Sequence, residues 1–497
     1  MYRDIQITVR EKDPIHAYLN RVSLCANNLY NAALFRVRQV LTGLKKEPDK
    51  ITEYEQKVLN EIREALPKMK SKFKMPTKEK TYLSYAFLDA LMHATENPDY
   101  YAEGFPAQCA QQMLKLVQQN MDSFYAQIRD YNQFPEKYKA RPKLPKYHKK
   151  QSCCTFVFTN QCVQMRKAEE LKDAVPGVSS LAAKMNRGMY FVFPKTRFVL
   201  PVGDALPAGG RLKECKICPY HRAFILHFIF DCPDSETPLK TAEPKRICAI
   251  DLGITNFAAI SNNIGLPGLL LKGGVLKSIN HRFNVRYAEI QSSQTAGTTN
   301  KFVPTPESDA LCRKRMNRIN DFMHKAAKMI ISWCVTNKID TMVVGTNKDW
   351  KQKVDLGKTN NQNFVQIPFY KFQSMLKYHC ERCGIRYVAQ EESYTSKASY
   401  VDKDLIPVYG QTKEEPRFSG SRGPHRYKGM KSKNGFRGLY RISDGRIVNS
   451  DLNGSANIGR KAFPELFQNF DLFARPQIIS VPYRKPKKCS PTGISAA

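Results

Sequence analysis

The chain has 497 residues, with 79 Lys and Arg against 45 Asp and Glu, and so carries a formal net charge of +34. An excess this large, spread along the chain, favours a polyanionic partner and argues against a small-metabolite enzyme or a merely solvated surface. The length suits roughly two to four domains. No apolar run is long enough to span a membrane, and the first residues lack the apolar core of a signal peptide.

The first third of the chain reads as one strand followed by helices. Residues 2–10 alternate polar and apolar side chains, which predicts a strand. Apolar residues then recur at helical spacing between residues 14 and 132. The Lys- and Glu-rich stretch 44–80 is interpreted as a solvated helical insertion. Prolines, bases and tyrosines alternate in 136–150, which predicts either a linker or a segment that contacts nucleic acid through its backbone and bases.

Strand patterns dominate residues 152–235. The best are Thr155–Thr159, Met189–Phe193 and Ala223–Phe230. Gly and Pro separate these strands, which is typical of a small antiparallel barrel.

After residue 246 the pattern becomes mixed α/β. A buried strand at Arg246–Asp251 opens a three-stranded meander, and a long amphipathic helix follows at 309–336. The remaining elements are a strand at 341–345, a helix at Pro368–Cys383, a strand at Ile385–Ala389 and a last helix opened by Asn457–Phe463. This order of elements is that of an RNase H-like domain.

Three acidic residues lie in settings that suit a metal-dependent nuclease. Asp251 ends an apolar run, Glu392 follows a predicted strand, and Asp451 precedes the last helix. Three carboxylates from remote segments can hold two divalent cations about 3.5–4 Å apart, which activate a water and stabilise the leaving oxygen of a phosphodiester. Gly253 is expected to let a phosphate or metal approach the backbone. By itself, Asp251 also fits an ordinary turn.

The 14 cysteines are expected to be reduced and mostly buried. Two pairs, Cys215 with Cys218 and Cys380 with Cys383, have a ligand-like spacing, and His221 is close to the first pair. Structural zinc sites need four ligands. Core packing is therefore the preferred interpretation of both pairs, and zinc binding by Cys215, Cys218 and His221 stays open.

Five motifs in sequence order resemble those of the TnpB transposon-associated nucleases and of the miniature type V CRISPR effectors. Residues 251–257, 392–397 and 451–458 resemble the three RuvC motifs, and the segments 345–351 and 360–368 are similar to parts of the same family. The likeness covers about residues 246–465. Relatives with a Glu-x-Tyr-Thr-Ser-Lys pattern place the catalytic acid three residues before the Thr, which selects Glu392 and leaves Glu391 as the alternative.

The resemblance implies an α+β multidomain protein with an RNase H-like (RuvC) α/β nuclease domain, a small antiparallel β-barrel (wedge) domain and an N-terminal helical recognition domain. The implied divisions are 1–13 for the first barrel strand, 14–135 for the helical domain, 136–235 for the rest of the barrel, 236–245 for a linker, 246–395 and 449–480 for the two parts of the nuclease, 396–448 for a basic insertion that binds target nucleic acid, and 481–497 for a tail.

The function implied is that of an RNA-guided DNA endonuclease. Guide RNA would pair with one strand of target DNA, the protein would read a short flanking motif, and one RuvC site would cut the DNA. Asp251, Glu392 and Asp451 would be the catalytic residues and would bind two Mg²⁺ or Mn²⁺ ions. The long helical region 40–105 favours a miniature CRISPR effector, acting in antiviral defence in a prokaryotic cytoplasm and possessing no membrane segment. A TnpB-type transposon nuclease and a guide-directed DNA binder without cleavage are the alternatives.

Two further features follow from the comparison with the family. Many relatives carry a four-cysteine zinc ribbon between the second and third motifs, whereas residues 396–450 contain no cysteine, which predicts no zinc there. A chain this short is also expected to form a homodimer on one guide RNA. The residues predicted to contact nucleic acid are Lys137, Tyr138, Lys139, Arg141, Lys143, Lys146, Tyr147, Arg422, Lys428, Lys431, Arg437 and Arg441.

Overall fold

The structure is a computed structural model in which the chain divides into two units, Met1–Asp234 (unit 1) and Ser235–Ala497 (unit 2). Both units contain helices and strands, in agreement with the predicted mixed α/β class. The residues that the structure describes are 2–171, 189–194, 196, 198–203, 207, 209–233, 243–297, 299, 301–347, 367–408, 416–425 and 436–482.

The helices of unit 1 pack through apolar stripes. Among the described residues they are α1 (Ile15–Gly43), α2 (Glu53–Ala65), α3 (Tyr85–Ala94) and α4 (Ala107–Gln133). Leu19, Val22 and Ala26 of α1 recur at three- and four-residue spacing and are fully buried, as expected of a helix face turned to the core. In the stretch predicted to be a solvated helical insertion, only 53–65 forms an α-helix, and that helix buries one face in the core.

The described strands of unit 1 are β1 (Tyr2–Arg10), β2 (Phe156–Thr159), β3 (Gln164–Lys167), β4 (Met189–Val192), β5 (Val199–Gly203), β6 (Arg211–Tyr220) and β7 (Ala223–Asp231). They form two antiparallel sheets, one of order β1-β7-β6-β2 and the other of order β3-β4-β5. Aromatic side chains join the sheets, as where Phe191 stacks on Phe228 with ring centroids 3.5 Å apart.

The described elements of unit 2 are β8 (Ile247–Leu252), β9 (Asn256–Asn262), β10 (Leu269–Lys272), α5 (Gly274–Thr295), α6 (Pro306–Thr336), β11 (Thr341–Thr346), α7 (Phe369–Arg382), β12 (Arg386–Glu391), β13 (Ser421–His425), β14 (Phe436–Arg441), β15 (Ile447–Asn449), α8 (Ser450–Ala462) and β16 (Gln477–Ile479). The unit is built on a six-stranded sheet of order β12-β11-β8-β9-β10-β16. The strands β8, β9 and β10 form the predicted antiparallel meander, and β11 and β12 run parallel to β8.

Helices cover both faces of this sheet. One face packs on α6 and α7 through residues such as Phe322 and Phe372, and the other packs on α8 through Leu452, Ala456 and Ile458. A central strand between two such layers is buried on both sides, which explains the almost unbroken apolar sequence of β8. The helix α5 was not predicted from the sequence.

The predicted start of the last helix is wrong. It was placed at Asn457, but α8 begins at Ser450. The side chain of Asn449 accepts hydrogen bonds from the backbone N–H groups of Asp451 and Leu452, which is an N-cap. Asp451 therefore lies in the first turn of α8 rather than in a preceding loop.

The predicted basic insertion contains a small antiparallel sheet, β13-β14-β15, within its described residues. The hydroxyl of Tyr440 on β14 donates to the backbone oxygen of Lys397 at 2.8 Å and ties this sheet to the turn after β12. None of the described helices has the length and apolar character to cross a membrane.

Candidate active site

The three acidic residues approach one another at one edge of the six-stranded sheet. Asp251 lies near the end of β8, Glu392 follows β12, and Asp451 is in the first turn of α8. Since β8, β11 and β12 are parallel, β8 and β12 deliver Asp251 and Glu392 to the same edge. Burial, and then the negative charges of Glu392 and Asp451, raise the pKa of Asp251 well above its usual range, and Arg422 opposes the shift. The three acids thus share one electrostatic environment.

Two glycines provide the space that the acids occupy. A Cβ atom on Gly454 would lie 2.7 Å from Oδ2 of Asp251, and one on Gly345 would lie 2.6 Å from Oε2 of Glu392. Gly345 is on β11, between the two strands that carry Asp251 and Glu392. Both glycines lie in the motifs 345–351 and 451–458, but this role for them was not predicted from the sequence. A glycine inside a strand or helix, where it weakens the element, is the signal of close approach that could have revealed them.

Gly253 was expected to let a phosphate or metal approach the backbone, but the local fold alone explains why a glycine stands at this position. A Cβ atom there would lie 2.8 Å from the backbone oxygen of Asn256, so the turn between β8 and β9 already requires the absence of a side chain.

Both carboxylate oxygens of Asp451 have partners. Asn256 donates from Nδ2 to Oδ2 at 2.8 Å, and Arg422 donates from Nη2 to Oδ1 at 3.3 Å. Asn256 is itself held by Lys272, whose Nζ lies 3.0 Å from its Oδ1. Arg422 was predicted to bind nucleic acid, and the structure places it against an acid of the candidate site. No local sequence signal indicated this contact or that of Asn256.

The polar face of α8 sets the positions of the other two acids. Ser455 donates to the backbone oxygen of Ala249 at 2.8 Å, two residues before Asp251. Asn457 donates to the backbone oxygens of Thr395 and Ala398 at 2.9 and 2.7 Å, just beyond Glu392. Ser455 and Asn457 are fully buried. Because unpaired buried polar groups are costly, these bonds fix the helix to the two acid-bearing segments.

Glu391 and Glu392 have different surroundings. The carboxylate of Glu391 accepts from Nζ of Lys461 at 2.6 Å and from the backbone N–H of Ser393 at 2.6 Å. Partial burial opposes a low pKa for Glu391, but the bonds from Lys461 and Ser393 prevail and lower its pKa. Glu392, in contrast, contributes to the raised pKa of Asp251.

The donor set of this centre is suited to hard divalent cations. Carboxylate oxygens are the ligands that Mg²⁺ and Mn²⁺ prefer, and a cation would relieve the repulsion that raises the pKa of Asp251. In the described part of the chain, no three His, Cys, Asp or Glu side chains are already grouped as a metal site. Arg422 and Asn256 donate hydrogen bonds to the Asp451 carboxylate. Metal binding would require this carboxylate to give up at least one of these bonds for a bond to the cation.

Cys215 and Cys218 are on opposite faces of β6. Cys215 and Ile217 are both fully buried in the core of unit 1, and Cys218 is three positions after Cys215 along the strand. Successive side chains of a strand alternate between faces, so the two thiols cannot converge on one metal ion there. Cys218 instead hydrogen-bonds His227, which lies 2.8 Å from Asp4. Cys380 is buried in the core of unit 2, as predicted. The packing role predicted for Cys383 is wrong, because that residue follows the last turn of α7 and is exposed.

Hydrogen bonds from α1 to the backbone of the basic segment 136–150 fix that segment within unit 1. Asn31 donates to and accepts from the backbone of His148, and Asn27 donates to the backbone oxygen of Lys149 at 2.9 Å. The side chain of His148 stacks on Tyr30 with ring centroids 4.0 Å apart. The cationic side chains of the segment are exposed: Lys137, Lys139, Arg141, Lys143 and Lys146.

The two tyrosines of this segment differ in exposure and partners. Tyr147 is 42% exposed, with the guanidinium of Arg38 4.8 Å from its ring centroid. The hydroxyl of Tyr138 donates to Asp130 at 2.7 Å, and this bond raises the pKa of Tyr138. Tyr147 therefore offers more ring surface for base stacking than Tyr138.

Several predicted residues cannot be placed. Lys428 and Lys431 lie outside the described residues, as do 348–351 and 360–366 of the two further motifs, and the side chain of Arg437 is likewise not described. Arg441 on β14 is exposed.

Comparison with known families gives two matches, one that begins in the last four residues of unit 1 and extends into unit 2, and one that lies within unit 2. Residues 231–351 match OrfB_IS605, described as a probable transposase, and residues 369–458 match the Cas12f1-like TNB domain. The predicted resemblance to TnpB-like nucleases and miniature type V effectors is confirmed by these matches. Asp251 falls in the first match, and Glu392, Arg422 and Asp451 fall in the second. A comparison with curated proteins found no match.

Solved structures similar to this chain include a Cas12f1 complex with sgRNA and target DNA, with 12% identity, 93% of this chain and 100% of that chain covered, and a TM-score of 0.31. The mini-RNA-guided endonuclease CRISPR-Cas_phi3 shows 9% identity, coverage of 93% and 92%, and a TM-score of 0.41. C2c1 of Alicyclobacillus acidoterrestris with single-guide RNA shows 8% identity, coverage of 93% and 88%, and a TM-score of 0.40. At these TM-scores a superposition does not establish a common fold.

Proposed function

We propose that this protein is an RNA-guided DNA endonuclease with a single RuvC-type site. The observation that carries the proposal is the approach of Asp251, Glu392 and Asp451 at one sheet edge, with Asp251 half-buried beside the other two acids. The strand order of unit 2, a meander followed by two parallel strands, supports an RNase H-like nuclease domain. The formal net charge of +34 supports a nucleic-acid substrate.

In this proposal Asp251, Glu392 and Asp451 hold two Mg²⁺ or Mn²⁺ ions. The chemistry that such a pair supplies when bound is activation of a water and stabilisation of the leaving oxygen of a phosphodiester. Asn256, itself held by Lys272, orients the carboxylate of Asp451. Arg422 places a positive charge at the acids, where it can face a DNA phosphate once Asp451 exchanges partners. Glu392 is the second acid of the set because Glu391 is held by Lys461.

The domain roles belong to the same proposal. Residues 1–13 and 136–235 form the wedge domain, 14–135 the helical recognition domain, 246–395 and 449–480 the nuclease, and 396–448 the insertion that binds target nucleic acid. The exposed cations of 137–146, with Tyr147, contact the nucleic-acid backbone and bases. Guide RNA pairs with one DNA strand, while the protein reads a short flanking motif.

The test is guided cleavage of a plasmid. RNA that co-purifies with the protein is sequenced, a target matching its variable part is inserted beside a randomised flank, and cleavage is followed with Mg²⁺. The proposal predicts cleavage that requires the matching target, the RNA and the metal. Guide-dependent binding without cleavage in Mg²⁺ or Mn²⁺ would instead establish a DNA-binding protein, and cutting without RNA would point to a conventional transposase.

A transposon-encoded TnpB-type nuclease is the second candidate, and the match of residues 231–351 to a probable transposase family favours it. The chemistry is the same in both candidates, and the genetic setting differs. A repeat array beside the gene would establish a CRISPR effector, whereas transposon ends would establish the alternative.

A homodimer on one guide RNA is a separate part of the proposal. One chain is small for enclosing a heteroduplex of about 20 base pairs. Mass measurement of the active protein–RNA complex is expected to give two chains and one RNA. One chain and one RNA at concentrations that support cleavage would leave the dimer without support.

A further inference from the structure

We propose that Lys461 is a positioning residue of the acidic centre, acting through Glu391 to hold the turn that presents Glu392. This inference rests on the proposed nuclease function. In this inference Glu391, the acid beside Glu392, and the C-terminal end of α8, the helix that carries Asp451, both support the acidic centre.

The contacts of Lys461 converge on the residues around Glu392. Its Nζ atom lies 2.6 Å from Oε2 of Glu391, 3.1 Å from the backbone oxygen of Ser393 and 3.0 Å from that of Pro407. The ammonium group thus has three acceptors, the number of donors it carries. A lysine at the end of a helix is ordinarily exposed and interacts with the helix dipole. Here the Lys461 side chain is only 7% exposed.

The turn itself is closed by further hydrogen bonds. The other oxygen of Glu391 accepts from the backbone N–H of Ser393 at 2.6 Å, and the hydroxyl of Thr395 donates to the backbone oxygen of Glu392 at 2.8 Å. Asn457 of α8 holds the backbone oxygen of Thr395. Glu392 is therefore bracketed on both sides by bonds that lead to α8.

The same helix fixes the geometry between two acids of the site. Asp451 is in the first turn of α8, and Lys461 is the residue before its last. A helix is a rigid spacer, so the bond from Lys461 to Glu391 transmits the position of Asp451 to the Glu392 turn. Loss of the ammonium would remove the donor to Oε2 of Glu391 and to two backbone oxygens, which would loosen the turn.

The contact with Pro407 extends this support to the chain leaving the site. Arg460, the neighbour of Lys461, donates to the backbone oxygen of Asp404 at 2.7 Å. Both side chains thus hold the first part of the proposed nucleic-acid-binding insertion, where the chain leaves the acidic centre. Movement of that segment would act directly on the Glu392 turn.

The experiment compares Lys461→Met with Lys461→Arg and with Lys377→Met, a matched change of an exposed lysine on α7. The first readout is amide hydrogen exchange of the full-length chain. Lys461→Met is expected to accelerate exchange in 391–398 and leave exchange in α6 unchanged, and Lys461→Arg is expected to keep much of the wild-type protection.

The second readout is the Mg²⁺ concentration that gives half-maximal guided cleavage. Residues that orient metal ligands typically change metal affinity or activity by about 10–100-fold, so we expect a rise of that order with unchanged DNA binding.

Wild-type exchange in 391–398 together with an unchanged Mg²⁺ midpoint in Lys461→Met would overturn the inference. So would a loss of thermal stability in that variant with a normal Mg²⁺ midpoint, which is the result of a purely structural role. If Lys461→Met does not fold, Glu391→Gln carries the same test with a smaller expected shift in both readouts. Failure of the proposed function is distinguishable, because the wild-type chain would then not cut, while the exchange measurement would still report on the contact.

Discussion

The acidic centre of unit 2 and the basic segment of unit 1 are built in opposite ways. The acids arise from a buried strand, a strand end and a helix start, and a glycine without a side chain leaves room for each of Asp251 and Glu392. The bases of 136–150 are exposed, and the segment that bears them is fixed by hydrogen bonds to its backbone. The function of the acidic centre depends on the exact positions of its carboxylates, whereas that of the basic segment depends on its density of positive charge. Substitutions should therefore act on catalysis in one region and on general affinity in the other.

The largest effect is expected from removing single acids. Asp251→Ala, Glu392→Ala or Asp451→Ala should each lower the rate of guided cleavage by at least about a thousandfold, because one lost ligand disrupts the arrangement needed for both cations. Guided DNA binding should stay close to wild type. Binding and cleavage are measured on the same complexes.

The matched control is Glu465→Ala, an exposed acid of the same unit outside the site. It should cut like wild type. Full activity in Glu392→Ala would contradict the assignment of the second acid.

The space left by the glycines gives the second prediction. Gly454→Ala places a methyl group 2.7 Å from a carboxylate oxygen of Asp251, and Gly345→Ala places one 2.6 Å from Glu392. Overpacking of this kind is expected to destabilise the fold by about 1–3 kcal/mol and to reduce cleavage. Urea unfolding measures the first effect.

Gly274→Ala is the control, since it adds the same methyl group to a helix with nothing within 4 Å. Its stability should be equal or higher, because Ala favours a helix over Gly. Equal losses in all three variants would show that close approach is not the reason for the glycines at 345 and 454.

Neutralising the basic segment tests the other region. Replacing Lys139, Arg141, Lys143 and Lys146 together by Ala should weaken nucleic-acid binding for every target sequence. If each contacts one phosphate, the slope of log affinity against log salt should fall by about 3, since each contact contributes roughly 0.7–0.9. Cleavage at saturating nucleic acid should change little. A loss confined to one target sequence would indicate base readout and contradict a backbone role.

The smallest effect concerns the ion pair of His227 and Asp4 in unit 1. The bond to Asp4, and then that to Cys218, raises the pKa of His227 to about 9 against the opposing effect of burial. A raised pKa means that the pair stabilises the fold fully below the ordinary histidine value of about 6.5 and ceases to do so as pH rises through about 9.

Asp4→Asn should therefore be less stable than wild type at pH 6 by up to about 1 kcal/mol, and the difference should vanish near pH 10. Urea unfolding of the full chain, followed by circular dichroism, measures it. Glu11→Gln breaks a pair with Arg222, which stays charged throughout this range, so its effect should not vary with pH. A pH-independent difference for Asp4→Asn would rule out the raised pKa.

Local patterns predicted the strand that carries Asp251, because a strand buried on both faces is an almost continuous apolar run. They failed at the start of α8, where Asn449, Asp451 and Gly454 resemble a turn. Tertiary contacts override that preference, since Asn453, Ser455 and Asn457 are fully buried and bonded to neighbouring segments.

Partners distant in sequence could not be predicted in the same way. Arg422 contacts Asp451 across 29 residues, and Lys461 contacts Glu391 across 70. Each pair is brought together by tertiary folding, through β13 in one case and the far end of α8 in the other. The family motifs identified the acids, but the side chains that orient them emerge only from the packing.

Asp251, Glu392 and Asp451 are proposed to form one site for two cations. Anomalous scattering from Mn²⁺ in crystals of the protein–RNA–DNA complex would locate those cations. Two peaks about 3.5–4 Å apart are expected among these three carboxylates, and both should be lost in Asp251→Ala. Peaks ligated by other side chains, or an unchanged pair in Asp251→Ala, would contradict this proposal.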